Sequence, residues 1–459
     1  MTWGELRLVP PLETYPRAVA AVQTPAGKLV MLAGFVTLLS LVSPGWVPIG
    51  SFLVLASLVP SRHRRVLVAG GTVVWAFVWP ARAGEPAILL AGQALVFLFA
   101  GLLYAASRRF SRSALLARPV ALLMALVTVY LAVVGARPGS FPKEGLAWAV
   151  AHALCSYQWF IGYALLDRFA SPGEPVWKQL GTFAPFWGST TTPFPKGAAN
   201  WRKIETRTPE ALAITQLKGL KLLLWCVLLH FAHRGYRWVA FHSLGILSIS
   251  DAFRAVANDA PLGFLASWTS ILGSFFERLF DLTVFGHTIV ACCRMAGFAA
   301  LRNTYRPFEA RNVADFWNRY YYYFKELLVE FFYYPTFLRY FKGHPRLRRT
   351  FAVFATVFLG NIYFHFVRDD HWIQTIGFWA AVRQMDVYVV QCMMLAVAIS
   401  LSQARRATST GKGWLQERAF PLARVLVSYC LMFAFVDEEF LFPLRVHLRF
   451  FAHLFGINA

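Results

Sequence analysis

The sequence predicts an all-α, polytopic integral membrane protein with about 10–12 membrane segments, some of them interfacial or re-entrant helices. Three observations point there. Hydrophobic residues make up 57% of the 459-residue chain and mean hydropathy is +0.49. Only 15% is Asp, Glu, Lys or Arg, against roughly 25% in a soluble domain. The uncharged runs approach or reach the ~20 residues that one bilayer crossing needs.

The runs can be placed in order. Residues 29–61 carry no charge and are interrupted at Pro44 and Gly45, which suits two short spans or a span with a re-entrant piece. Residues 66–81 are slightly short and would cross with help from the flanking Arg65 and Arg82, whose long side chains can snorkel. Residues 86–107, 119–136 and 145–166 are each about one crossing. Further candidates are 211–231, which carries Lys218 and Lys221, then 260–276, 282–293, 350–367, 372–404 and 419–436. Residues 234–261 are apolar for too short a distance to span and suit an interfacial or re-entrant helix. The chain therefore reads as one polytopic domain over residues 1–459.

A net charge of +22 raises the question of nucleic acid. The positive residues, however, lie in short loops between apolar runs: SRHRR at 61–65, SRRFSR at 107–112 and RYFKGHPRLRR at 339–349. That distribution follows the positive-inside rule and makes membrane lipid, not nucleic acid, the expected surroundings. The first 28 residues hold Pro10, Pro11, Glu13 and Pro16 and no apolar core, so the first apolar run is expected to be a retained span. The six cysteines show no ligand spacing, and no metal site is expected from them. Residues 167–210 form the longest polar stretch, with Trp177, Trp187 and Trp201 suited to the head-group region.

Two blocks carry chemistry. The first, DFWNRYYYYFKELLVEFFYYP at 315–335, predicts a helix beginning near Phe316, capped by Asn312 or Asp315 and stopped by Pro335. About twenty residues at 1.5 Å each would extend roughly 30 Å. On it Asp315 and Arg319 stand four apart and can pair, while Arg319, Tyr323, Glu326 and Glu330 share a face. Glu326 and Glu330 repel unless a cation or proton intervenes, so they belong toward protein or water. An amphipathic helix lying in the interface, with its tyrosines at head-group depth, accounts for the same residues.

The second block is TFAVFATVFLGNIYFHFV at 350–367, in which Asn361 and His365 share a face that Asp369 continues if the helix persists. A neutral imidazole oriented by an amide or carboxylate is suited to taking a proton from a hydroxyl; a structural hydrogen bond is the plainer alternative. His365, Asp369, Asp370 and His371 diverge too far around one helix to converge on a metal.

Taken together, residues 305–370 resemble the signature region of the membrane-bound O-acyltransferase family, in its bacterial branch of teichoic-acid D-alanyl and polysaccharide O-acetyl transferases. The resemblance rests on Pro307 and Phe308, on Asp315, Phe316, Trp317 and Arg319, on Tyr334 and Pro335, and on His365 in NIYFHF. It implies a multi-pass protein of the bacterial inner membrane with His365 as general base for a hydroxyl acceptor, glycan or lipid. It implies an acyl-CoA or acyl carrier protein thioester as donor, no bound cofactor, and partner proteins of envelope biosynthesis. By position Arg319, Tyr321 and Asn361 would then stabilise the developing oxyanion, while Asp315, Trp317, Tyr323, Glu326, Glu330 and Asp369 would line or hold the substrate region. The sequence departs from the pattern at Tyr321, where the family has histidine, and at Tyr363, Phe364 and Phe366, where it has small neighbours. A transporter or flippase, or a scaffold for an export system, would also place ionisable groups among apolar helices.

Overall fold

The computed structural model describes residues 9–78, 86–137, 139, 141–170, 192, 196–260, 262–404, 413, 415–436 and 441–457. They are overwhelmingly helical, with no strand among the described residues beyond one isolated antiparallel bridge between Glu205 and Phe298. The protein is an all-α, polytopic membrane protein. Among the described residues five helices are long and apolar enough to cross: Pro25–Val42, Pro86–Arg109, Pro209–Ser243, Pro345–Arg368 and Asp386–Gln403. Pro44–Ala56 and Pro119–Val134 are shorter apolar helices.

Several of the other expected segments differ for identifiable reasons. Residues 260–276 and 282–293 are not two segments but parts of one 32-residue helix, Phe264–Met295, because Glu277, Arg278 and Asp281 interrupt its hydropathy without interrupting its backbone. Residues 372–404 are not one crossing. They form helices Asp370–Ile376, Phe378–Gln384 and Asp386–Ala404, and Gly377 supplies the first break at φ +87°, a left-handed value that favours glycine. Helix Leu146–Leu166 has the length of a span, but its Trp, Tyr and Gln side chains are buried in protein.

The chain divides into two compact units, Met1–His230 with Thr283–Asn303, and Phe231–Leu282 with Thr304–Ala459. In the first, helix Leu146–Leu166 packs against both Pro86–Arg109 and Pro119–Val134. Gly92 permits the first contact, since a Cβ there would stand 2.8 Å from the backbone of Ala149. Gln93 donates to the Tyr157 hydroxyl beside it. Arg65 Nε lies 3.0 Å from Glu205 Oε2, and Arg82, the other arginine flanking the 66–81 run, lies outside the described residues. The neighbouring Arg64, 3% exposed, donates to the Thr206 carbonyl at 3.2 Å, and Gln216 donates to Ser57 Oγ and the Met295 carbonyl at 2.8 and 2.9 Å. These bonds supply the partners that buried polar groups require.

The second unit is organised by rings. Phe253, Phe275, Phe316, Tyr320, Tyr429, Phe433 and Phe450 share one buried cluster. The Tyr429 hydroxyl donates to that of Tyr320 at 3.1 Å, which satisfies two polar groups without opening the packing. A smaller cluster of Val353, Val357, Leu395, Ala396, Ile399 and Met432 lies against Ala314 and Trp317.

Candidate functional site

The first signature block begins as its residues dictate. Asn312 Oδ1 accepts from the Asp315 amide at 2.9 Å and caps helix Val313–Tyr320, and Arg319 Nε donates to Asp315 Oδ1 at 2.8 Å. The helix is then interrupted, not continuous for twenty residues. Tyr321 adopts φ −140°, ψ 77°, a second helix covers Tyr322–Leu328, and a π-helical turn follows at Val329–Tyr333. Pro335 does not stop the chain's helical course. It sits at the start of helix Tyr334–Arg339, where a missing N–H is tolerated.

The break separates the residues expected to share one polar face. Arg319 remains with Asp315 and lies 3.7 Å from Glu309, whereas Tyr323 is buried, its ring edge-on to Tyr322. Glu326 pairs with its neighbour Lys325, so the cation that Glu326 requires is adjacent in sequence. Glu330 is half-buried within the π-helical turn.

A second π-helical turn, Thr356–Gly360, precedes the histidine helix Asn361–Arg368 and packs against the first. Gly360 makes room for this approach, since a Cβ there would meet Phe332 Cδ2 at 3.0 Å and Leu328 Cδ2 at 3.1 Å. An extra residue per turn rotates the side chains beyond it, and such turns are frequent where a helix wall must be reshaped for function.

A cavity of about 340 Å³ follows from these irregularities. Trp317, Tyr321 and Lys325 line it from the first block, Thr356, Val357 and Asn361 from the second, and Leu395, Ile399 and Gln403 from helix Asp386–Ala404. Its walls are mostly apolar, with exposed Asn318 and Gln403 at its edge and buried Asn361 within. The indole of Trp317 is packed over Tyr429, ring centroids 5.7 Å apart, and its Nε1–H is buried without an acceptor. No family model matches the chain, and no curated protein is significantly similar to it.

The second block is held differently from the expected pattern. Asn361 Nδ2 donates to the Val357 carbonyl at 2.6 Å, so that amide proton serves its own helix rather than the His365 ring. Helix Asn361–Arg368 ends before Asp369, whose backbone (φ −101°, ψ 34°) leaves the helical path, so the shared face stops at His365. Asp369 instead accepts a two-pronged contact from Arg368, 2.6 Å from Nε and 2.7 Å from Nη2. Burial pushes the Asp369 carboxyl above its usual range against the pull of Arg368.

What fixes the imidazole is a residue not anticipated from the sequence. Tyr388, 1% exposed, stacks on His365 with centroids 4.1 Å apart, and its hydroxyl accepts from Arg368 Nη2 at 2.9 Å. His365 Nδ1 is buried with no hydrogen-bond partner. The structure thus brings Trp317, Tyr321 and Asn361 to one cavity and holds His365 one turn further along the histidine helix, outside the cavity lining. Asp315, Arg319, Tyr323, Glu326, Glu330 and Asp369 are also outside the lining. Lys325, Thr356 and Gln403 are not among the site residues expected from the sequence, although Lys325 shares a helical stripe with Tyr321 and Leu328, which also line the cavity. Only Lys325, a cation beside paired glutamates, carried a signal that could have identified it.

Proposed function

We propose that this chain is a membrane O-acyltransferase of the membrane-bound O-acyltransferase type. It moves an acyl group from a thioester donor, acyl-CoA or an acyl carrier protein, to a hydroxyl of a glycan or lipid in the bacterial inner membrane. One observation supports the reading: residues of two sequence blocks about 45 apart, Trp317 and Asn361, line one largely apolar cavity, and the Trp317 N–H is buried in protein without an acceptor. An unpaired buried donor costs about 1–3 kcal/mol, a cost that a carbonyl oxygen brought into the cavity would relieve.

The resemblance assigns the base to His365, which stands one helical turn beyond the cavity-lining Asn361; in that role it takes the proton of the acceptor hydroxyl as its oxygen attacks the thioester carbonyl. Negative charge develops on the carbonyl oxygen and is met by N–H or O–H donors of the lining residues, among them Trp317, Tyr321 and Lys325, the last shared with Glu326. Collapse breaks the carbon–sulfur bond, and the thiolate recovers the proton from the imidazolium. Arg319 is bound to Asp315 and supports the helix start instead of acting as a donor. All six cysteines are buried, which disfavours a route through an acyl-cysteine.

The test is acyl-thioester consumption by the detergent-purified protein against lipid, glycan and sterol hydroxyls, with His365→Ala alongside. Loss of a general base should lower turnover by about 100-fold or more. Unchanged turnover in a folded His365→Ala protein removes the base assignment, and no consumption with any acceptor removes the acyltransferase reading.

A further inference from the structure

The second unit carries a basic and aromatic surface that the proposed reaction does not use. Arg234, Arg237, Trp238, Phe241 and His242 line an open depression of about 450 Å³. They lie where helix Pro209–Arg237 passes into the π-helical turn Trp238–Ser243. The opposite side is anchored. His233 lies 3.3 Å from Asp281 and stacks on Phe280, and the Tyr236 hydroxyl donates to the Gly273 carbonyl at 2.8 Å.

Three features describe what this depression accepts. First, it is positive: Arg237 has one carboxylate partner, Glu277 at 3.0 Å, while Arg234 has no acidic partner among the described residues. Two guanidiniums side by side match the oxygens of a phosphate. Second, apolar surface continues from it, with Phe231, Trp238, Val239 and Leu244 all exposed. A wholly polar anion would leave that surface uncovered. Third, the apolar helix Pro209–Ser243 runs 35 residues, which at 1.5 Å each is about 52 Å against a hydrocarbon thickness of about 30 Å. The helix thus outruns the hydrocarbon, and Arg234 to His242 follow directly on its uncharged run 222–233; at head-group depth Trp238, parallel to His242 within 14°, is the residue type expected.

We infer that Arg234, Arg237, Trp238 and His242 form a binding site for the phosphate-bearing head group of an anionic phospholipid, its acyl chains lying along the exposed apolar residues beside it. The site is independent of the acyl-transfer reading and stands or falls separately from it.

The test is native mass spectrometry of the delipidated full-length chain titrated with dioleoylphosphatidylglycerol, dioleoylphosphatidylcholine or glycerol 3-phosphate. The anionic lipid should bind about tenfold more tightly than the zwitterionic one. Arg234→Gln, which breaks no ion pair, should weaken the anionic lipid by about tenfold, and Arg234→Lys should recover part of that loss. Equal binding of the two lipids overturns the site, as does anionic-lipid binding that Arg234→Gln leaves unchanged. Full displacement of the lipid by glycerol 3-phosphate overturns the lipid assignment in favour of a soluble phosphate ligand.

Discussion

The imidazole of His365 lies on the ring of Tyr388, their centroids 4.1 Å apart and their planes within 20°, and the Tyr388 hydroxyl in turn accepts from Arg368. With Nδ1 unpaired, this stack is the tighter of two ring contacts that set the plane of the histidine, the other being the edge-on ring of Phe364 at 5.8 Å. Tyr388→Leu removes the stack and should lower thioester turnover about tenfold with the protein still monodisperse. Tyr388→Phe retains the stack and loses one hydrogen bond, so a loss under about threefold is expected. Equal effects of the two substitutions would assign the role to the hydroxyl instead.

Stability should depend on pH through two carboxyls that burial holds above their usual range, Asp369 against Arg368 and Glu205 against Arg65. Between the unfolded pKa, about 4, and the raised folded value, the native state binds more protons than the unfolded chain. Stability contributed by each group is therefore greatest below that window, falls as pH rises through it and is level above. The slope cannot exceed about 1.4 kcal/mol per pH unit per group. Glu205→Gln should flatten the melting temperature against pH in this window; a slope unchanged from wild type would reassign the titration.

These relationships differ in how visible they were in the sequence, and the difference is one of range. The Asn312 cap and the Asp315–Arg319 pair are three- and four-residue effects and appear as read. The break at Tyr321 has no glycine or proline to announce it, because it is imposed by the ring cluster into which Phe316 and Tyr320 pack. Gly377 did announce a break in the 372–404 run, but hydropathy averages over a single residue. Pro335 reads as a stop in the sequence, but it is the second residue of a new helix that follows the π-helical turn directly, where its missing N–H is tolerated. Tyr388 lies 23 residues beyond His365 on another helix, so no local pattern pairs them.

Gly297 offers a stability prediction in the first unit. Its φ is +93°, and a Cβ there would stand 2.5 Å from Arg64 Nη1 and 2.9 Å from Leu212 Cδ1. Gly297→Ala combines a left-handed backbone cost of about 1 kcal/mol with displacement of a buried arginine from the Thr206 carbonyl. A total of about 2–4 kcal/mol is expected, read as a lower melting temperature in detergent. Gly101→Ala, with open space around the glycine, is the control and should be close to neutral.

Trp317 separates a binding role from a packing one. Its indole stacks on Tyr429 and lines the cavity, while its buried N–H lacks an acceptor. Trp317→Phe retains most of the stack and removes the unpaired donor. The lost ring area lowers stability, and removal of the orphan group raises it by about 1–3 kcal/mol, so the two effects oppose each other and the melting temperature should stay near wild type. If the N–H meets the carbonyl oxygen during transfer, turnover should fall about tenfold at unchanged stability. If the indole only fills space, Trp317→Phe should turn over like wild type, and the oxyanion contact would pass to another cavity-lining donor of the first block, such as Tyr321 or Lys325.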